Sequence, residues 1–195
     1  LVSIKKYVKK AKEFGYSHLG IMDMDNLYGA YHFLEETKAA GIQGLLGLDL
    51  NLVKDGQPLS LRLLAINSQG YRNLMKVSTL IMLDKKNWED IQHLMQGLLL
   101  IVPAYPGVNE LELGRDFYIG VFPTTSSQKF SKPTLPLHTV RYFDSGDLET
   151  IQMLGAIREN VSLREVASLP SGQHLLRSEQ LREAFEQTFP ESLEN

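Results

Sequence analysis

The chain has 195 residues, is 43% hydrophobic and 22% charged, and sets 20 Lys and Arg against 23 Asp and Glu for a net charge of -3. A pI near 6.0 argues against a free-standing basic nucleic-acid clamp, for which a value above about 9 is usual. With no Cys, disulfide scaffolds, thiolate zinc sites and cysteine nucleophiles are excluded. Ser3 caps a predicted helix to about Phe14, with Ile4, Tyr7, Val8, Ala11 and Phe14 on its apolar face and Gly15 as its stop. Lys5, Lys6, Lys9, Lys10 and Lys12 lie mostly on the other face and read as solvated. His18 to Met22 is a short buried strand. Asp23 to Asn26 form a polar turn capping a second helix from about Leu27 to Ala40, which Gly41 ends.

Leu45 to Val53 is a second strand, and Asp55-Gly56 is a hairpin turn. Leu59 to Ile66 returns as a third, with Leu61, Leu63 and Ala65 alternating against Ser60, Arg62 and Leu64. A helix runs from Ser68 to about Leu80, and a short one from Trp88 to Met95. Further strands are expected at Leu98 to Val102, Phe117 to Phe122 and Leu135 to Tyr142, with an exposed loop over Pro123 to Pro136. Asp147 to Ile157 is amphipathic through Leu148, Ile151, Leu154, Ala156 and Ile157, and Ser178 opens a last helix. Strands alternating with helices imply an α/β fold with parallel strands and crossover helices. No apolar run approaches the roughly 18 residues of a membrane span. No secretory signal is visible, and residues are expected upstream of Leu1.

In α/β folds the functional surface lies at the C-terminal ends of the strands. Asp23, Met24, Asp25 and Asn26 follow the first strand, Asp49 the second, and Tyr105, His138, Thr139 and Arg141 the later ones. Asp23, Asp25, Asp49 and His138 are the candidate metal ligands, and a catalytic metal needs about three that converge. Asp25 also suits a helix N-cap, and Asp49 an exposed strand position. His18, His32, His93 and His174 read as surface residues. No phosphate-binding glycine fingerprint and no nucleophile elbow occurs.

Several phrases carry a resemblance: Ala11-Lys12-Glu13-Phe14-Gly15-Tyr16, Gly20 to Ala30, Gly41 to Asp49, Leu64 to Leu74, Leu137 to Tyr142 and Phe189 to Asn195. In this order they resemble the N-terminal PHP (polymerase and histidinol phosphatase) domain of bacterial DNA polymerase III alpha subunits. The resemblance implies a distorted (β/α)7 barrel with a metal cluster at the strand ends. It also implies a chain that is incomplete or trimmed, since Val102 to Leu135 is short for the family. Residues 1–195 would be one PHP fragment of a longer polymerase, with about 160–195 leading toward its core. The family's ligand pattern is broken here. Met24 stands for a His beside Asp23, Asp49 for a Glu, and Thr139 and Arg141 for a late Asp and His.

The broken pattern implies a vestigial pocket of Asp23, Met24, Asp25, Asn26, Asp49, His138, Thr139 and Arg141, with Arg141 as counter-ion to Asp23 and Asp49 in place of a metal. The implied function is a non-catalytic, structural module of a cytoplasmic replicative DNA-directed DNA polymerase. The fragment itself would hold no cofactor, while the polymerase site beyond it would use Mg²⁺. Palm and thumb of the same chain, DNA through the parent protein and other replisome subunits are the implied partners, with no membrane. Trp88, Phe117 and Tyr118 are expected to help make the palm and thumb contact. Two alternatives stand beside this reading: a metal-dependent phosphoesterase or 3'-5' proofreading exonuclease active in this domain, and a docking module for another replisome subunit.

Overall fold

The computed structural model describes residues 3–126, 128–143, 145–162 and 172–193. Helix α1 (Ile4–Glu13) starts at Ser3, whose hydroxyl accepts from the Lys6 amide, and buries Val8 and Ala11. Strand β1 (His18–Met24) follows, then α2 (Ala30–Ala40), which ends at left-handed Gly41. The second helix thus begins later than expected, because Asn26 folds the chain back on itself instead of capping. Its Oδ1 accepts from the Tyr28 amide at 3.1 Å and its Nδ2 donates to the Met24 carbonyl at 2.7 Å.

Strands β2 (Gln43–Lys54) and β3 (Gln57–Ala65) form a long hairpin. Asp55 and Gly56 turn it with φ 50° and 76°, the left-handed pair that a tight two-residue turn needs. Helix α3 (Ser68–Met82), a short α4 (Trp88–Ile91) and β4 (Leu98–Pro103) come next. The chain continues through β5 (Tyr118–Val121), β6 (Thr134–Pro136), α5 (Leu148–Glu159) and α6 (Ser178–Glu186).

The sheet runs β1-β2-β3-β4-β5-β6, with β1 and β6 at its two edges. The fold is α/β with a curled, incomplete barrel, as the resemblance implies. It differs from the expected parallel sheet in two ways. The β2–β3 and β3–β4 pairs are antiparallel. Among the described residues, the parallel β4–β5 and β5–β6 links carry no α-helix, only loops and a 3-10 turn at Val108–Glu110. The strand expected over Leu135 to Tyr142 stops at Pro136, and the loop expected to run to Pro136 ends in β6 with Thr134 buried.

The core is the apolar alternation of the hairpin made solid. Leu48, Leu50, Leu61 and Leu63 are fully buried with Phe33, Leu74 and Ile119. Leu175, Phe185 and Phe189 from the C-terminal segment belong to the same core. Trp88 and Phe117 are 2% and 3% exposed, so they are core residues and not the contact surface expected of them. Their large apolar area is worth more inside than against a partner. The α5 face expected to be apolar is only partly covered: Ala156 is buried, while Leu154 and Ile157 are exposed. Residues 163–171, within the stretch expected to lead toward a polymerase core, lie outside the described residues.

Candidate functional site

The curled sheet holds a cleft of about 500 Å³. Ile4 and Tyr7 of α1, Ile21 and Met22 of β1, and Leu137 and Val140 beyond β6 give it apolar walls. Asp23, Asp49, Arg62, His138 and Thr139 give it polar ones. The sheet's curvature is what brings β1 and the chain after β6 to one place.

Asp49 is not at the end of its strand. The parallel pairing with β1 closes at Met24 opposite Asp49, but β2 continues into the hairpin. Asp49 therefore sits mid-strand, directly opposite Arg62 on β3. Arg62 Nε donates to Asp49 Oδ2 at 3.2 Å, and the two side chains are 15% and 21% exposed. The guanidinium also lies over the Phe122 ring at 5.4 Å, which holds its plane from the other side. The counter-ion in the cleft is therefore Arg62 and not the Arg141 expected from the resemblance.

Arg141 is exposed and does not line the cleft, because its backbone is turned to the C-terminal segment: its amide donates to the Gln173 carbonyl at 2.8 Å. The sequence does contain a signal for Arg62. Asp49 lies six residues before Asp55 and Arg62 six after Gly56, so a two-residue turn puts them in register.

The other candidates divide. Asp23 lines the cleft and, among the described residues, has no hydrogen bond or ion pair. Met24 is 49% exposed outside the cleft, its Sδ 3.5 Å from Asn51 Nδ2. Asp25 is not an N-cap. It holds a left-handed φ of 61°, gives its amide to the Asp49 carbonyl at 3.0 Å and stands 3.9 Å from Lys86 Nζ. Asn26 is spent on its local turn, and Tyr105 lies in a separate hollow by the hairpin tip.

His138 and Thr139 both line the cleft. His138 Nε2 is 2.7 Å from the His174 carbonyl, so this nitrogen carries the proton and donates. Burial holds its pKa below the usual histidine value, against the opposing pull of that hydrogen bond. His174 is not a plain surface residue: its ring stacks on Tyr142 with centroids 6.0 Å apart. Tyr7 reaches the Gly20 carbonyl with its hydroxyl at 3.3 Å, and burial, with Tyr16 nearby, pushes its pKa up to about 12. Chemically the set offers one unpaired carboxylate, one neutralised carboxylate and one neutral imidazole. It lacks two free carboxylates to act together as acid and base.

The PHP domain family matches residues 1–111. The chain belongs to that family. It is 38% identical over 197 aligned residues to the DNA polymerase III subunit alpha of Streptococcus pyogenes serotype M3, covering 100% of this chain and 19% of that one. It is 29% identical over 174 residues to the DNA polymerase III subunit alpha of Staphylococcus epidermidis, covering 82% of this chain and 16% of the relative. The chain thus spans about a fifth of the length of the curated relatives it matches. An amidohydrolase from Chromobacterium violaceum superposes with a TM-score of 0.43 at 10% identity, over 94% of this chain and 92% of that one.

The metal cluster that a PHP fold implies does not suit this PHP cleft. Asp49 is already held by a permanent cation, and a metal beside Arg62 would meet like charge in a half-buried place. His138 gives Nε2 to a backbone carbonyl, which leaves Nδ1 as its one ring nitrogen for a ligand. Among the described residues no three His, Asp or Glu side chains gather.

Proposed function

We propose that this PHP domain is a structural module of a replicative DNA polymerase III alpha chain and performs no metal-dependent phosphoesterase or proofreading chemistry of its own. Identity along the whole chain to DNA polymerase III alpha supports the parent assignment. The observation that carries the structural role is the Arg62–Asp49 pair, which supplies from within the fold the positive charge that a cluster of carboxylates would otherwise draw from a metal.

On this reading residues 1–195 are one PHP fragment, with about 160–195 leading on toward the polymerase core. The parent chain is a DNA-directed DNA polymerase in the cytoplasm. Its Mg²⁺ is held by carboxylates outside this module, and the module packs on palm and thumb. The described residues include no helix long and apolar enough to cross a membrane.

The test uses the full-length chain. Calorimetric titration with Zn²⁺ and Mn²⁺ is compared between the parent and an Asp49→Asn/His138→Gln variant, alongside primer extension and phosphodiester hydrolysis. Equal metal stoichiometry in both, with primer extension in the parent, is expected. A variant that loses one bound metal and a phosphoesterase activity while keeping primer extension would show the cleft to be a working metal site.

A further inference from the structure

Five of the chain's 20 Lys and Arg sit on one helix. Residues 4–14 hold five Lys against one Glu, a net of +4 in a chain of net -3. Lys5, Lys9 and Lys12 are exposed and follow one another at i, i+4 and i+7, which aligns them along the outward face of α1. Lys6 stands beside them, as does Glu13 in the last turn. Among the described residues Lys5, Lys6, Lys9 and Lys12 have no ion pair, whereas Arg62, Lys86 and Arg182 each have one.

Nothing in the fold calls for this arrangement. The first turn of α1 has no acidic residue, and Lys5 and Lys6 oppose the positive end of the helix dipole, so they weaken the helix they sit on. The inward face is already sufficient, with Val8 and Ala11 buried and Ile4 and Tyr7 on the cleft. Beside the stripe, Lys6, Lys9, Lys10, Glu13 and Phe143 line a shallow hollow of about 210 Å³.

We propose that the α1 stripe of Lys5, Lys9 and Lys12 binds the phosphodiester backbone of the DNA on which the full-length chain works. The inference rests on the polymerase reading above. Seven residues of helix place the outer lysines about 10 Å apart, at 1.5 Å per residue. A DNA strand winds around its axis while rising roughly 3.4 Å per charge, so a straight stripe of this length reaches about two to three phosphates. Lys5, Lys9 and Lys12 are point charges without a guanidinium fork, so their contact is sequence-independent and positions the duplex.

The experiment measures affinity of the full-length chain for a primer–template by fluorescence anisotropy over a salt series. Each lost phosphate contact lowers the slope of log K against log salt by about 0.9. Lys5→Gln/Lys9→Gln/Lys12→Gln is expected to lower it by about 2 to 3, and to weaken binding by roughly tenfold or more at 0.1 M salt. A matched Lys38→Gln/Lys76→Gln/Lys85→Gln variant, with exposed lysines from other faces, is expected to keep the parental slope.

Equal slopes in the stripe variant and the parent overturn the proposal, as do equal losses in the two triple variants. Unchanged DNA binding with loss of an acidic protein partner overturns it too, and assigns the face to protein docking. A parent chain that binds and extends a primer while the stripe variant is unaffected leaves the polymerase reading intact. A parent that binds no DNA overturns both.

Discussion

Replacing Arg62 by Met would remove the cation from the cleft while keeping most of the side-chain volume. Asp49 would then be left 21% exposed opposite an apolar side chain, with no counter-charge. Removing one partner of a buried pair costs about 3–5 kcal/mol. Here there is one contact at 3.2 Å and the cleft admits some water, which places the loss near the lower end, about 3 kcal/mol. The guanidinium–Phe122 stacking adds roughly 0.5–1 kcal/mol. Asp49→Leu alone should cost about 1–2 kcal/mol, since Arg62 keeps Phe122 and can reach water. The double variant should recover much of the sum, with a coupling energy of about 2 kcal/mol. Equilibrium urea unfolding of the four chains at pH 7 measures this. A coupling below about 0.5 kcal/mol would show the pair to be no more than a surface contact and would refute its role as internal counter-ion.

Burial depresses the His138 pKa, so the folded state binds fewer protons than the unfolded one as pH falls below about 6.5. Stability should therefore drop on acidification from pH 7 until the folded pKa is passed, and His138→Gln should flatten that part of a melting-temperature profile. Gly70→Ala should be severely destabilising, because a Cβ there would lie 1.9 Å from the Gly97 carbonyl oxygen, a backbone atom that cannot swing aside. A loss above about 3 kcal/mol in urea unfolding is expected, and a loss below about 1 would contradict the packing. Leu61→Ala, at a fully buried position, should cost about 2–5 kcal/mol with an unchanged m-value.

Periodicity makes the elements legible where burial is one-sided. The α1 face, the alternation of β3 and the Asp55-Gly56 turn all follow from local rules, and each is where the spacing puts it. What local rules miss is competition between partners. Asn26 can cap a helix or close its own turn, and the turn wins. Trp88 and Phe117 look like surface anchors only until the core is assembled around them. Asp23, His138 and Thr139 are legible because strand ends converge, and Asp49 because the β1–β2 pairing closes opposite it. Arg141 is misplaced by the sequence pattern because the chain after Pro136 leaves the sheet. Arg62 is hidden from any search confined to strand ends, although the hairpin register puts it opposite Asp49.

A closed barrel has no free rim, but this sheet ends at β1 on one side and β6 on the other. A bare edge strand invites pairing with another chain, and on β1 a side chain of α1 takes one of the open carbonyls. The Tyr7 hydroxyl satisfies the Gly20 carbonyl, and with its pKa near 12 that phenol stays a donor at any pH a cell reaches. Tyr7 therefore closes the open seam at one point, and Tyr7→Phe should show its effect as self-association on concentration sooner than as a loss of folding.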